Sequence, residues 1–460
     1  PGSDIDLLFV LPQRQSPRVQ SIAEFILYTL WATRQKVGHA TRNIEECIRL
    51  AKTDTTILTA ILEARYICGD VSVFERLVHD FRRDIVAKGA RDFVAGKLAE
   101  RDLRLVKSGE SRYLVEPDVK DGKGGLRDLN TLFWIAKFLY ATNATDELAE
   151  KGAFTREELA IFKKCENFLW AVRCHLHFLA GRGDDRLSFD RQSEIAERLG
   201  YKAHGGLKHV ERFMKHYFLV AKDVGDLTRI LCASLEARQV KDAPTLSRML
   251  GRLRPRGTPS FADAPDFRLE SGRIVAKDAD AFSRDPVNMI RLFAIASRQG
   301  AEIHPDALKL VRKSLPLIRK SVCNDPQANA IFLEMLTQGS EPETILRMMN
   351  EAGVLGRFIP EFGRIVAMMQ FNMYHHYTVD EHLIRAVGIL AQIDRGQLSE
   401  DHPLAAAVFP TVTSKRALYV AVLLHDIAKG RKEDHSIAGE RIARELGPRF
   451  GLTPAETDTV

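Results

Sequence analysis

Three stretches of the sequence hold residues that can do chemistry. Near the amino end, Gly2-Ser3-Asp4-Ile5-Asp6-Leu7-Leu8-Phe9-Val10-Leu11-Pro12 reads as a turn feeding a strand that Pro12 ends. Side chains alternate along a strand, so Asp4 and Asp6 share one face. Two neighbouring carboxylates repel unless a cation lies between them. Mg²⁺ suits that place, because it takes oxygen ligands and bridges them to nucleotide phosphates. Near the carboxyl end, Ala417 to Leu424 is apolar all round, as a helix buried on every side would be, with Gly430 as a left-handed cap. That helix runs into His425 and Asp426. A buried carboxylate needs a partner, and a divalent metal shared with an imidazole supplies one.

A matching ligand lies upstream. Thr378 and Glu381 have capping-box spacing, which starts a helix with His382 in its first turns. His382, His425 and Asp426 are therefore expected to hold a divalent metal, with His435 as a further candidate. The third stretch is Glu116-Pro-Asp-Val-Lys120-Asp-Gly-Lys123-Gly-Gly-Leu-Arg127-Asp-Leu129. Its glycines free the backbone to approach an anion, Lys120, Lys123 and Arg127 supply positive charge, and the following helix would aim its N–H groups at the same place. It is not a P-loop, since no G-x-x-x-x-G-K-[ST] is present. The expectation is a phosphate-facing loop; the simpler alternative is a Gly-rich turn between helices.

The elements that position these groups follow from periodicity. Ser21–Thr33 reads as an amphipathic helix and Gln35–Arg42 as a short strand without a carboxylate. Asp54 and Glu63 each read as helix surface. Glu75–Lys107 is helical by period. Phe162–Leu179 is a helix with an apolar stripe; His175 and His177, two apart, do not share a face and make a poor metal pair. Arg182, Arg186 and their acidic neighbours read as a salt-linked turn, and Glu211–Leu231 as another long helix. Arg252–Pro265 has the composition of a boundary. Phe267–Lys277 reads as two strands around Ser271-Gly272. Helices are expected at Val287–Ser297, Pro305–Leu315, Gln327–Thr337 and Pro342–Glu351, the last ended by Gly353.

At 460 residues, 45% hydrophobic and 28% charged, the chain is globular and long enough for several cores. A net charge of +6 with mixed signs is too mild to argue for nucleic-acid binding. Six cysteines without C-x-x-C spacing fit a reducing cytosol, and no apolar run is long enough to span a bilayer. No membrane and no nucleic-acid partner is expected, and the localisation read from the sequence is cytoplasmic. The chain opens on Pro1 inside an expected strand and stops at Val460, so both ends are expected to be cuts.

The string G-S-D-I-D-L-L-F resembles the nucleotidyltransferase superfamily signature, which places Gly2 and Ser3 at the nucleotide. Such folds often take a third carboxylate beside the pair, and this resemblance makes Asp54 and Glu63 each a candidate for it. His382 with His425-Asp426 resembles the HD superfamily of metal-dependent phosphohydrolases, whose ligand set ends in a later Asp. The Pro117–Leu129 loop, Leu176–Asp190 and Val210–Tyr217 resemble the bifunctional uridylyltransferase/uridylyl-removing enzymes of PII signalling. These strings, in family order, cover nearly the whole chain. The resemblance implies a mainly α protein with a small α/β part: a nucleotidyltransferase sheet within 1–110, a helical bundle over 111–250, a linker with hairpin and helices over 251–370, and an all-α HD domain over 371–460. It implies transfer of UMP from UTP to a PII tyrosine and hydrolytic removal of that UMP. Mg²⁺ or Mn²⁺ would sit at Asp4 and Asp6, a divalent metal at His382, His425 and Asp426, and the nucleotide near Lys120, Lys123 and Arg127. Lys429 would steady phosphoryl oxygens. Glutamine would act through ACT domains absent from this sequence, and activity of the chain as given is expected to be impaired. The alternatives are a tRNA nucleotidyltransferase with an HD domain, or a catalytically inert PII-binding scaffold.

Overall fold

The computed structural model describes residues 4–12, 17–108, 113–142, 147–242, 260–261, 263–270, 272–371 and 376–460, with side chains for all of these except 233–242 and 260. Gly2, Ser3 and Ser271 fall outside this set. The chain groups into two compact units. The first is Pro1–Arg112 with Glu116–Arg191 and Asp223–Leu231; the second is Tyr113–Val115 with Gln192–Lys222 and Cys232–Val460. The units interleave along the sequence, unlike the four consecutive segments expected.

In the first unit, strand β1 (Ile5–Leu11) pairs in parallel with β2 (Val37–Asn43) across the helix Pro17–Ala32. Asp6 stands opposite Gly38, and its carboxylate reaches to 2.7 Å from where a β-carbon would be. A side chain at position 38 would make the Asp6 carboxylate shift. The helices Ile44–Ala51, Thr55–Leu62 and Val71–Phe81 each begin on an acid or amide cap, Asn43, Asp54 and Asp70. The single helix expected over Glu75–Lys107 is broken: a π-helical turn covers Arg82–Val86, and a new helix runs from Ala90 to Ser108. The helices Leu126–Tyr140 and Arg156–Ala180 pack through Leu129, Leu132, Ile135, Phe162, Leu169, Val172 and Leu176, all buried. A Thr155/Glu158 capping box starts the second of these, and Gly181 ends it with φ 63°.

His177 is a core residue, as its spacing from His175 suggests. Its Nε2 lies 2.9 Å from Asp185, whose carboxylate also takes Arg173 at 2.6 Å. The salt-linked turn is present too, through Arg186 with Glu116 and Arg191 with Asp184.

The second unit holds a four-stranded sheet and most of the remaining helices. Strands β3 (Ser260–Phe261), β4 (Ala264–Glu270), β5 (Arg273–Ala276) and β6 (Glu302–Ile303) lie in that order, with β5 and β6 parallel. The expected hairpin is present: Glu270 pairs with Arg273 and Gly272 has φ 81°. Its two flanking strands were not foreseen, because a two-residue strand carries no periodicity. The helices Asn288–Gln299, Pro305–Ser314, Pro326–Gln338 and Pro342–Ala352 fall where expected, and Gly353 ends the last with φ 81°. They share one apolar core with Val379–Asp394, Lys415–Leu424 and His435–Arg449, running from Ala264 to Leu452. The helices of the segment read as a linker thus share their core with the helices that carry His382 and His425.

Burial pushes the Asp185 carboxyl up, but Arg173 and His177 outweigh it and hold the group below its ordinary value. Such a group stabilises above the ordinary carboxylate pKa, and the gain is lost as pH falls through the depressed value. Denaturant titration of Asp185→Asn should show a loss of about 1–3 kcal/mol at pH 7. The gap to wild type should shrink as the pH falls below the carboxylate range.

Candidate functional site

His382 lies in the first turn of the helix Val379–Asp394, and its N–H closes on the Thr378 carbonyl at 2.9 Å. His425 caps the helix Lys415–Leu424, whose Ala417, Tyr419, Val420, Leu423 and Leu424 are buried. Ala421 and Val422 are half-buried, so this helix is not covered on every side. Gly430 (φ 79°) closes the turn after it, six residues past Leu424, and so is not the direct cap expected. The two elements bring His382 Nε2 to 3.3 Å from His425 Nε2, and the two nitrogens to 3.8 and 3.6 Å from Asp426 Oδ2.

His425 Nδ1 donates to the Val422 carbonyl at 2.8 Å. That bond fixes the tautomer and leaves the Nε2 lone pair facing the other two groups. Both imidazoles are partly exposed and Asp426 is buried. One ligand atom from each residue lies within 4.8 Å of the others, the sole such grouping of three among the described residues. Two imidazole nitrogens and a carboxylate oxygen converging in this way fit a divalent ion. The His435 side chain does not join them; it opens the next helix and is exposed. Lys429 donates to Asp426 Oδ2 at 2.7 Å and so supports the ligand carboxylate from the side.

Beneath His382 lie two buried acids. The capping box expected of Thr378 and Glu381 does not form: Thr378 is the N-cap residue but makes no side-chain cap bond. Glu381 turns instead to Arg347, at 2.7 Å, which also takes Glu343. Asp380, fully buried, accepts from Asn350 Nδ2 at 2.8 Å. Burial pushes both carboxyls up, against the pull of Thr378 and Asn350 on Asp380 and of Arg347 on Glu381. Arg347 and Asn350 escaped the sequence reading. The available signal was an Asp-Glu pair set before His382 at the start of an apolar helix.

At the amino end, Asp4 and Asp6 are both exposed beside β2. Neither Asp54 nor Glu63 completes a three-carboxylate group with them. The Asp54 side chain caps its helix, accepting from the Thr56 and Ile57 N–H groups at 2.7 and 3.1 Å, which hold its pKa down. Glu63 pairs with Lys137 at 3.1 Å and, with Arg65, Phe74 and Phe81, lines a cleft of about 500 Å³.

The Gly-rich loop is built differently from the anion nest expected. Its N–H groups are spent inside it: Gly122 on the Asp118 carbonyl, Gly125 on Gly122, Leu126 on Val119 and Arg127 on Lys120. Gly124 donates to the carboxylate of Asp128, which is buried against Arg101 and Arg104. The helix end thus has its first donors satisfied by the loop itself. The glycines serve close packing, since a β-carbon at Gly125 would stand 2.7 Å from the Val119 carbonyl oxygen. Arg127 pairs with Asp121 at 3.4 Å.

Comparison with known families follows the same order along the chain. Residues 92–232 match the family described as GlnD PII-uridylyltransferase, and 267–358 match the uridylyltransferase GlnD third domain. The chain belongs to the PII-uridylyltransferase family. Residues 379–459 match the HD domain, which takes in His382, His425 and Asp426. This PII-uridylyltransferase relative thus joins a nucleotidyltransferase to an HD phosphodiester hydrolase, the domain set that uridylylates PII and removes the uridylyl group, with PII protein and UTP as substrates. Among the described residues no helix is long and apolar enough to cross a membrane.

Because Glu381 is almost wholly buried, removing its cation leaves a charge with no comparable partner. Arg347→Met is expected to lower the stability of the second unit by about 3–5 kcal/mol, read by denaturant unfolding. Replacing His435 by Ala should leave divalent-metal binding by calorimetry unchanged, whereas His425→Ala should abolish it at this site.

Proposed function

We propose that Asp4 and Asp6 serve the transferase reaction and that His382, His425 and Asp426 serve the hydrolase. The convergence of those last three side chains, inside the HD-matched segment, is the observation that supports the second assignment most directly. The first rests on two carboxylates sharing one end of β1 beside the glycine that makes room for Asp6.

In the forward reaction the tyrosine oxygen of PII forms a bond to the α-phosphorus of UTP. The bond from that phosphorus to pyrophosphate breaks, and the phenolic proton is released. Asp4 and Asp6 would hold Mg²⁺ or Mn²⁺ against the triphosphate, and Lys120, Lys123 and Arg127 would contribute positive charge as side chains rather than through the loop backbone. In the reverse function a water oxygen attacks the phosphorus of the UMP–tyrosine ester, the phosphorus–oxygen bond to tyrosine breaks, and the phenol regains a proton. His382, His425 and Asp426 would hold a divalent ion, which would supply Lewis acidity and a water of lowered pKa. The Val422 carbonyl keeps the His425 proton on Nδ1, and Lys429 keeps the Asp426 carboxylate oriented. Glutamine as effector and a cytoplasmic location belong to this reading on family grounds.

A direct test supplies the full-length protein with PII, labelled UTP or ATP, and Mg²⁺ or Mn²⁺. Asp4→Ala/Asp6→Ala should lose transfer from UTP by more than about 100-fold, beyond the usual cost of losing an outer-sphere partner. His425→Ala/Asp426→Ala should transfer normally but fail to release UMP. Glu63→Gln should keep transfer. No label on PII from either nucleotide would favour an inert scaffold, and label on tRNA would favour a tRNA nucleotidyltransferase.

A further inference from the structure

The helix that carries His382 does not fix its own amino end. Residues 376–378, which lead into it, pair antiparallel with Tyr113–Val115 through a bridge between Leu114 and Tyr377. The Val115 N–H donates to the His376 carbonyl at 3.1 Å, and the Thr378 N–H donates to the Tyr113 carbonyl at 3.3 Å. This short strap is pinned at both ends. The Val115 carbonyl accepts from Gln192 Nε2 at 2.8 Å, where Gln192 is fully buried. The buried Tyr113 ring lies 6.4 Å from that of Phe218. Strap, amide and ring all belong to the second unit, yet all lie outside the HD-matched residues.

Thr378 joins the strap to the site in a single turn. Its N–H is held by Tyr113, and its carbonyl receives the His382 N–H at 2.9 Å. Val379 adds a third tie, donating to the Met368 carbonyl at 2.8 Å. A displacement of residues 376–378 therefore carries His382 with it, while His425 and Asp426 sit on a separate element. Ligand distances in metal sites tolerate only about 0.2 Å.

We propose that Tyr113–Val115, locked by Gln192, is a positioning element of the hydrolase site that sets His382 against His425 and Asp426. The inference rests on reading those three residues as the metal site. Gln192 touches neither substrate nor metal and acts through the strap. The HD-matched segment is thus not self-sufficient: part of its ligand geometry is supplied from more than 180 residues upstream of His382.

The test uses the full chain and Mn²⁺ titration by electron paramagnetic resonance, counting as this site the binding lost in His425→Ala. Gln192→Met keeps the side-chain volume and removes the donor. It should weaken His425-dependent Mn²⁺ binding about 10–100-fold, the range for outer-sphere partners of metal ligands. Amide exchange at residues 376–379 of the metal-free protein should rise in parallel. Tyr113→Leu, which loosens the other end of the strap, should shift both readouts in the same direction and carries the test where Gln192→Met does not fold. Asn329→Leu removes a buried amide elsewhere in the same unit, where it bonds the Cys323 and Asp325 carbonyls. It should lower the melting temperature without changing Mn²⁺ affinity. Unchanged His425-dependent affinity in the strap variants would overturn the strap alone. Absence of any His425-dependent Mn²⁺ would overturn the metal reading and the strap together.

Discussion

Two carboxylates buried in one helical turn set the terms for the second unit. Asp380 and Glu381 are almost completely removed from water, and a polar group so placed is tolerated only with a hydrogen-bonding or charged partner. The partners come from the Pro342–Ala352 helix, as Arg347 and Asn350. That helix must therefore lie directly beneath the one carrying His382. The apolar core running from Ala264 to Leu452 takes in the buried faces of both helices. His382, the next residue along, stays partly exposed.

The same economy appears around the ligands. Each residue of the site has a neighbour that restricts it: the Val422 carbonyl for His425, Lys429 for Asp426, the Thr378 turn for His382. Polar groups that satisfy one another before a ligand arrives keep a site from collapsing. In the first unit the Gly-rich loop carries the same logic further. Many of its donors are spent internally, and Gly122 and Gly125 stand where neighbouring carbonyls leave no space for a β-carbon. A sequence rich in glycine and lysine can mark a compact structural knot as well as an anion cradle.

Much of the architecture was legible because it rests on local signals. Apolar period gave the long helices of the first unit, proline and left-handed glycine gave the ends of those in the second, and Ser271-Gly272 gave the hairpin. The grouping of His382 with His425 and Asp426 was legible because His425 and Asp426 end a greasy helix and so had to meet something polar. What escaped were features with no local signature. The π-helical turn at Arg82–Val86 interrupts a pattern that reads as continuous helix, and β3 and β6 are two residues each. Asp54 was left open between helix surface and ligand because an N-cap acid and a ligand acid look alike in sequence; it is the N-cap.

The sequence by itself determined which residues could do chemistry and on which elements they stand, since residue type, period and capping act over a few positions. It also placed the chain among the PII-uridylyltransferases through strings that need no coordinates. Only the tertiary structure decided which acids converge with histidines and which are caps or buried ion pairs, because that depends on partners far away in the chain. Glu381 left its capping box for Arg347, and the loop donors turned inward. The strap from Tyr113 to Val115 reached the lead-in to His382 across the sequence. Each outcome follows from one physical rule: a buried polar group takes the nearest partner in space, and the sequence does not record that distance.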